Sequence, residues 1–588
     1  MVRFSSIIFN LFVFLSTLSL SASDPVLRKI DPQILKSIEE GAQMVEYIIY
    51  HRDQAKLPEM KNLTKKEKGR VVFNILKEHA ERTQQSLIQI LRSHQATYRS
   101  YFVANAIWVK SDTETMMKIA AMPEAASIIH NPWIKMQMPE ENRLELKPRN
   151  PDPEWGIKKI QADEVWQMGF TGQGITIAGQ DTGYEWDLNP LKSKYRGWDG
   201  EEADHNYQWH DAIFEANPRF PENNPNPCGL ALKAPCDDNN HGTHTMGTMV
   251  GSDEENLIGV APDARWMACR NMDRGWGKPS TYMECFEFFL APHDLEGSNP
   301  DPEKAPHVIN NSWGCPEDEG CNPSNWALME QLVINLKSAG IMVVVSAGNS
   351  GNRGCGSIDN PAAMFEPSFT VGSTRQDDAI SGFSSRGPVV VDSSYRMKPD
   401  VVAPGSGVRS VIRGGFFASY SGTSMAGPHV AGVVALMLSA NPALEGRVED
   451  IEDILRRTAV PFTSNLDCFD FPGADVPNTT FGWGRIDALE AVKMALEFTS
   501  STNDVKAETQ ILCFPNPGSG IFHFTSSNPE VRFTEIRIFD YQSRQVFASK
   551  EDIPVVQRSL DLSHLPAGMY FFKMSGSKFS YSGKLIKL

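Results

Sequence analysis

Positive charge is in deficit along this chain. Its 588 residues carry 56 Lys and Arg against 72 Asp and Glu, a formal net charge of −16. A nucleic-acid partner would want a basic patch, so that class is set aside. The balance suits a soluble exported protein and says nothing about fold. Long apolar runs are also missing: beyond Phe4 to Leu20, no segment looks long and apolar enough to span a bilayer. That run stands behind one positive residue, Arg3, and before the small residues Ser21-Ala-Ser23. It reads as a cleaved signal peptide over residues 1–23, with a membrane anchor as the alternative. Cysteine is sparse, nine in all. In an exported chain these can pair. Cys228 with Cys236, Cys269 with Cys285, and Cys315 with Cys321 or Cys355 are the expected partners; an odd count leaves at least one thiol over. No cysteine stands in a His-paired motif, which argues against a thiol enzyme. There is no second Asp-Thr-Gly or Asp-Ser-Gly, so Asp181-Thr-Gly183 lacks the carboxylate partner an aspartic protease needs. No glutamate between His241 and His244 makes the zinc motif His-Glu-x-x-His.

What is present is a hydroxyl at the mouth of an apolar helix. In Ser421-Gly-Thr-Ser-Met-Ala-Gly-Pro-His-Val-Ala-Gly432, Ser424 sits where a buried helix through Val430 to Leu438 should begin. Pro428 is expected in its first turn, where a missing N–H is no loss. Unpaired backbone N–H groups and the positive end of the helix dipole suit a nucleophile whose reaction creates an oxyanion. A plain helix cap would look the same locally. Three further positions change that balance. Asp181 closes the apolar run Ile175-Thr-Ile-Ala-Gly-Gln-Asp181, a short buried strand ending in a turn. His241 opens a second polar-to-apolar helix start, Asn239-Asn-His-Gly-Thr-His244. Asn349 follows the buried strand Val343-Val-Val-Ser-Ala-Gly-Asn349. In an α/β fold, strand ends and helix starts gather along one sheet edge. The chemistry fits: a serine needs a base, imidazole titrates near neutrality, a buried carboxylate holds the ring, and an amide with the Ser424 N–H can bind an oxyanion.

With these residues in the order Asp, His, Ser, the chain resembles the subtilases, the subtilisin-like serine proteases, over roughly Trp155 to Leu496. Ile258-Gly-Val-Ala-Pro262, Phe383-Ser-Ser-Arg-Gly-Pro388 and Lys398-Pro-Asp-Val-Val-Ala-Pro-Gly405 support the likeness. Trp186, Lys194-Tyr-Arg-Gly-Trp-Asp199, Phe289-Leu-Ala-Pro292 and Val308-Ile-Asn-Asn-Ser-Trp-Gly314 look like the bacillopeptidase F branch. The resemblance implies a three-layer α/β fold with a mostly parallel sheet over 150–497. It also implies a triad of Asp181, His241 and Ser424, with Asn349 in the oxyanion hole. Ser312-Trp313-Gly314 is expected as an edge strand lining the pocket for the residue before the scissile bond. Gly275-Trp276-Gly277 is expected as the opposite edge, with a peptide added between them as a strand. His244 and His429 are expected to be structural, and Asp237-Asp238 a solvated loop. The family often binds calcium; no ligands are assigned, and the chemistry requires no cofactor.

Residues 24–149 are organised differently. Lys65 to Leu91 is charged and helical in period; Phe102 to Val109 follows, then a helix over Thr113 to Ala121 and a strand over Ala126 to His130. This resembles the inhibitory propeptide of subtilases, a small α+β unit whose end lies in the active site. Glu140 to Pro153 reads as the exposed link to be cut. After a linker at 498–510, residues 511–588 show short alternating strands and turns that suggest a small β-sandwich. Phe514-Pro-Asn-Pro-Gly518 and the terminal Gly583-Lys-Leu-Ile-Lys-Leu588 resemble the C-terminal sorting domain of type IX secretion, which implies export across the outer membrane. A carbohydrate- or protein-binding sandwich is the rival. The expected partners are protein or peptide substrates, the chain's own propeptide and the type IX machinery, with the protein a monomer. An inactive subtilase-fold adhesin or scaffold, and an esterase or peptide ligase, remain as alternatives.

Overall fold

A computed structural model describes residues 25–137, 139–142, 150–314 and 322–498, and in the C-terminal part 511–514, 516, 518–526, 532–540, 544–554, 557–575 and 580–588. The expected signal peptide and the cysteines 315 and 321 lie outside these residues.

The N-terminal unit is a four-stranded antiparallel sheet, β1 (Met44–His51), β2 (Thr97–Tyr101), β3 (Ala106–Asp112) and β4 (Ala125–His130), in the order β2-β3-β1-β4. The helical stretch after Lys65 is two helices, α1 (Lys65–Thr83) and α2 (Gln85–Ser93). A capping box between Thr64 and Glu67 starts the first. The apolar stretch from Phe102 does not form one strand, because residues 102–105 make the turn of the β2–β3 hairpin. A helix over Thr113–Ala121 (α3) follows, capped by Asp112. Tyr47, Ile49, Ile107 and Val109 face α2 and α3. The opposite face, with Ile48, Ala106 and Trp108, enters a larger core.

That core belongs to the central unit. Seven parallel strands, β5 (Thr176–Asp181), β6 (Trp209–Asp211), β7 (Arg265–Arg270), β8 (Val308–Asn311), β9 (Met342–Ser346), β10 (Phe369–Thr374) and β11 (Val401–Pro404), lie in the order β11-β10-β9-β8-β5-β7-β6. Period-2 alternation distributes their side chains. Ile177, Val308, Met342 and Val344 pack with helices α4 (His241–Val250) and α7 (Thr423–Ala440). Ala178, Ile309, Val343 and Val345 pack with α5 (Pro279–Leu290) and α6 (Pro323–Ser338). The result is the three-layer α/β fold with a mostly parallel sheet. By length and composition α7 could cross a membrane, yet 89% of it is buried inside the protein, as suits a core helix.

In the C-terminal part, a three-stranded and a four-stranded antiparallel sheet enclose Phe522, Phe524, Ile536, Ile538, Leu560 and Phe572. The module is β-rich, with apolar residues alternating inward.

Disulfides join Cys228 to Cys236 and Cys269 to Cys285, as the spacing suggested. Cys355 does not pair with Cys315, the partner considered for it: it meets Cys468, which is 113 residues away in sequence but adjacent once the loops fold. Cys513 is free.

Candidate active site

Strand β5 delivers Asp181 to the carboxyl edge of the sheet, buried. Helix α4 starts on that edge because Gly242 allows a close approach; a Cβ there would lie 2.1 Å from the Gly183 carbonyl oxygen and 3.1 Å from the Asp181 Cβ. His241 is its first residue, fully buried, with Nδ1 2.7 and 2.8 Å from the two Asp181 carboxylate oxygens. The Thr182 N–H also donates to Asp181 Oδ1, at 2.8 Å. His241 Nε2 makes no hydrogen bond.

Ser424 is the second residue of α7, and its hydroxyl donates to the Ser312 carbonyl at 3.3 Å, not to His241. Pro428 is the sixth residue of that helix, not in its first turn, so the N–H it lacks would have paired with the Ser424 carbonyl. The Ser312 hydroxyl donates to that carbonyl instead, at 3.2 Å. Asn349 follows β9. Its side-chain oxygen accepts from the Thr423 N–H and hydroxyl, both at 2.9 Å, which leaves the amide NH2 as its free donor end. Ser424, Asn349, Ser312, Trp313 and Gly314 line one cavity, so five of the expected site residues share it.

Ser312 to Gly314 are not an edge strand: β8 ends at Asn311, and no neighbouring strand supplies a ladder there. Gly314 abuts Asn360, whose Oδ1 would lie 2.4 Å from an added Cβ. Trp313 is stacked on Tyr282 at 3.9 Å between rings. Across the cavity, Trp276 and Gly277 form a two-residue strand paired antiparallel with Lys135 and Ile134, and the Met136 N–H donates to the Gly275 carbonyl at 2.8 Å. Lys135, Met136 and Gln137 complete the cavity lining, and only about 30 Å³ stays open. Past the cavity, Pro139 lies against Gly422, and residues 140, 141 and 142 pair antiparallel with Ser421, Tyr420 and Ser419. The N-terminal segment thus runs along the cleft on both sides of Ser424. The stretch from Glu140 to Pro153 is accordingly less open than expected: its two ends pair with the central unit, Asn150–Pro153 against Asn256–Leu257, and residues 143–149 lie outside the described ones.

His244 and His429 are buried beside this centre and kept neutral by burial, at about 3 and about 4. His244 Nε2 meets the Val408 and Ala418 carbonyls at 3.1 Å, and its ring stacks on Tyr420. Asp237 and Asp238 are not a solvated loop. Both are buried, because the backbone around Gly183 pairs with Cys236 to Asp238 and draws them inward. Asp238 accepts from Asn226 and lies 3.6 Å from Arg270; burial still pushes its carboxyl up to about 7. Among the described residues, no three His, Cys, Asp or Glu side chains gather as a metal site.

The pattern described as "Subtilase family" matches residues 172–484, more than half of the chain. The chain belongs to the subtilase family. Bacillopeptidase F of Bacillus subtilis (strain 168) is 35% identical to this subtilase over 457 residues, covering 73% of the chain and 29% of the relative. M-protease of Shouchella clausii (strain KSM-K16) is 32% identical over 291 residues, covering 49% and 60%. Subtilisin Savinase of Lederbergia lenta is 32% identical over 312 residues, covering 53% and 92%. The chain therefore spans under a third of bacillopeptidase F and less than two thirds of M-protease. Residues 512–588 match "Secretion system C-terminal sorting domain". Sequence reasoning passed over Thr182 and Thr423, which touch Asp181 and Asn349 directly, and read Asp237, which reaches the site through Thr182, only as a solvated loop. Their hydroxyls and carboxylate sit within the very motifs that were read, so the missing signal was burial.

Proposed function

We propose that this subtilase is a secreted serine endopeptidase made as a self-processing zymogen. The observation that carries the reading is the N-terminal segment laid as a strand along the cavity that Ser424 and Asn349 share, with the Asp181–His241 pair at the same sheet edge. In the proposed reaction His241 Nε2 takes the Ser424 proton as Oγ attacks a peptide carbonyl. Asp181, bonded to Nδ1, fixes the tautomer and stabilises the imidazolium. The Asn349 NH2 and the Ser424 N–H receive the oxyanion. His241 returns the proton to the leaving amine, and water, activated the same way, releases the acyl group from Ser424. No cofactor enters these steps, and a structural calcium ion stays a family expectation without assigned ligands. Gly275 and Gly277 bind the segment through backbone pairing, which ignores side chains and favours broad protein and peptide substrates. Residues 24–149 act as the inhibitor until cut. The C-terminal module addresses the chain to type IX secretion, and the protein works as a monomer.

Mass and N-terminal sequencing of the full chain beside Ser424→Ala test this. Only the wild type should lose its N-terminal segment and react with a serine-directed phosphonate. Processing of both chains, or a wild type that ignores the phosphonate, would overturn the catalytic reading.

A further inference from the structure

We propose that Asp237 is a positioning residue for the Asp181–His241 pair; this rests on the catalytic reading above. Asp237 is 1% exposed and its five hydrogen-bond donors are neutral. Oδ1 accepts from the Thr182 hydroxyl at 2.9 Å and from the Asn239 and Asn240 N–H groups at 2.9 and 3.1 Å. Oδ2 accepts from the Thr243 N–H at 3.0 Å and its hydroxyl at 2.6 Å. Arg270, the buried cation of this region, pairs with Asp211 and Asp238 instead. A buried carboxylate without a cation is costly unless hydrogen bonds satisfy it.

The donors explain why a carboxylate stands here. Both oxygens face N–H donors, so an amide would point its NH2 at other N–H groups on one side or the other. They also show what it holds. Thr182 follows Asp181 directly, Asn239 and Asn240 precede His241, and Thr243 is in the first turn after it. Thr182 closes the link: its hydroxyl donates to Asp237 and accepts from the Gly242 N–H at 3.1 Å. The carboxylate also holds Asn240 in a left-handed conformation, φ +92°, that a non-glycine residue rarely adopts. One buried anion thus clamps the strand end that carries Asp181 to the helix start that carries His241.

The test uses the full chain with Asp237→Asn, Thr182→Val and Thr182→Ser, each assayed on a peptide amide with sites counted by phosphonate titration. Asp237→Asn should lower kcat per site by about tenfold or more with KM within about twofold, since displaced reacting groups lose rate rather than binding. Thr182→Val should show a smaller loss of the same kind, and Thr182→Ser, which keeps the hydroxyl, should restore it. The downfield proton of the His241–Asp181 hydrogen bond, read by NMR in Ser424→Ala, should weaken in Asp237→Asn and persist in Thr182→Ser. An Asp237→Asn chain with wild-type kcat and an unchanged proton signal has lost a helix cap only, and the proposal falls. If Asp237→Asn does not fold, equal kcat in the two Thr182 variants overturns it. A wild type without activity overturns the catalytic reading instead, and the NMR signal then still decides the clamp.

Discussion

At the scale of single residues, the site divides into groups that would touch a substrate and groups that hold them. Asn349 is the simplest to test. Its oxygen is anchored by Thr423 and its NH2 lines the Ser424 cavity. Asn349→Ala should lower kcat by about a hundredfold or more, with KM little changed, as for other lost oxyanion donors; a fall confined to KM would remove Asn349 from that role. The buried imidazoles predict a pH effect on stability. Folded His429 takes up a proton only near pH 4, against an ordinary value of 6.5, with burial the main cause. Between those values the unfolded chain binds the extra proton, so the stability this group contributes is complete above about pH 6.5 and lost as pH falls toward 4. Glu287 and Asp238, pushed up to about 8 and about 7 by burial, act with the opposite sign over nearly the whole of that window. The His429 contribution is therefore read by difference. In a Ser424→Ala background, His429→Gln should gain on its parent by about 1.4 kcal/mol per pH unit descended. Parallel stability curves in urea at pH 7 and pH 5 would show that this imidazole does not titrate as argued.

At the scale of elements, the strand formed by Ile134–Lys135 is stabilised by few bonds, so one of them should matter. Met136→Pro removes the N–H that meets the Gly275 carbonyl. Such a bond is worth about 1 kcal/mol net, so the cut chain should appear roughly fivefold more slowly in a time course. An unchanged rate would mean that the docked geometry is not the one from which the chain is cut. How much of this was legible beforehand follows from locality. Asp181, His241, Asn349 and Ser424 could be placed at strand ends and helix starts because a few neighbouring residues decide those positions. Of the seven parallel strands, the runs ending at Asp181 and before Asn349 were legible as buried strands, while the mostly parallel sheet as a whole was implied by the family resemblance. Pro428 fell one turn deeper than expected because Gly422, not a residue nearer the proline, precedes the helix. Asp237 and Asp238 were misjudged because Asp-Asp-Asn-Asn reads as loop chemistry, and its burial comes from pairing with Gly183, more than fifty residues earlier. The bond between Cys355 and Cys468 was hidden for the same reason.

At the scale of the whole molecule, the N-terminal unit is not an appendage with its own closed surface. Ile48, Val72, Leu76, Val103 and Trp108 share a single apolar core with Phe286, Phe289, Leu332 and Leu336 of the central unit. Polar contacts across the boundary are also buried. Glu284, itself buried, binds Arg99 and the Tyr101 hydroxyl across the boundary and His210 within the central unit. Glu287 accepts from the Phe102 and Val103 N–H groups, and the Lys65 ammonium donates to the Ala305 carbonyl at 2.8 Å. Burial lowers Lys65 to about 7, although the Glu445 carboxylate opposes the shift. A central unit made alone would leave this apolar face in water, at about 25 cal/mol for each Å² left uncovered. A chain starting at residue 150 should therefore unfold at a lower temperature than the full chain, and adding residues 25–137 as a separate chain should recover part of the difference. A truncated chain that unfolds cooperatively at the full chain's temperature would show that the shared core is dispensable. Glu284→Ala asks the same question within the intact chain. It removes the carboxylate that binds Arg99 and the Tyr101 hydroxyl; because Arg99 is 41% exposed, the loss should cost about 1.5–3 kcal/mol rather than the full penalty of a buried unpaired charge. If the two units form one cooperative body, the single unfolding transition of Ser424→Ala should move down as a whole; if they merely touch, an early transition should split off and leave the central unit's midpoint in place.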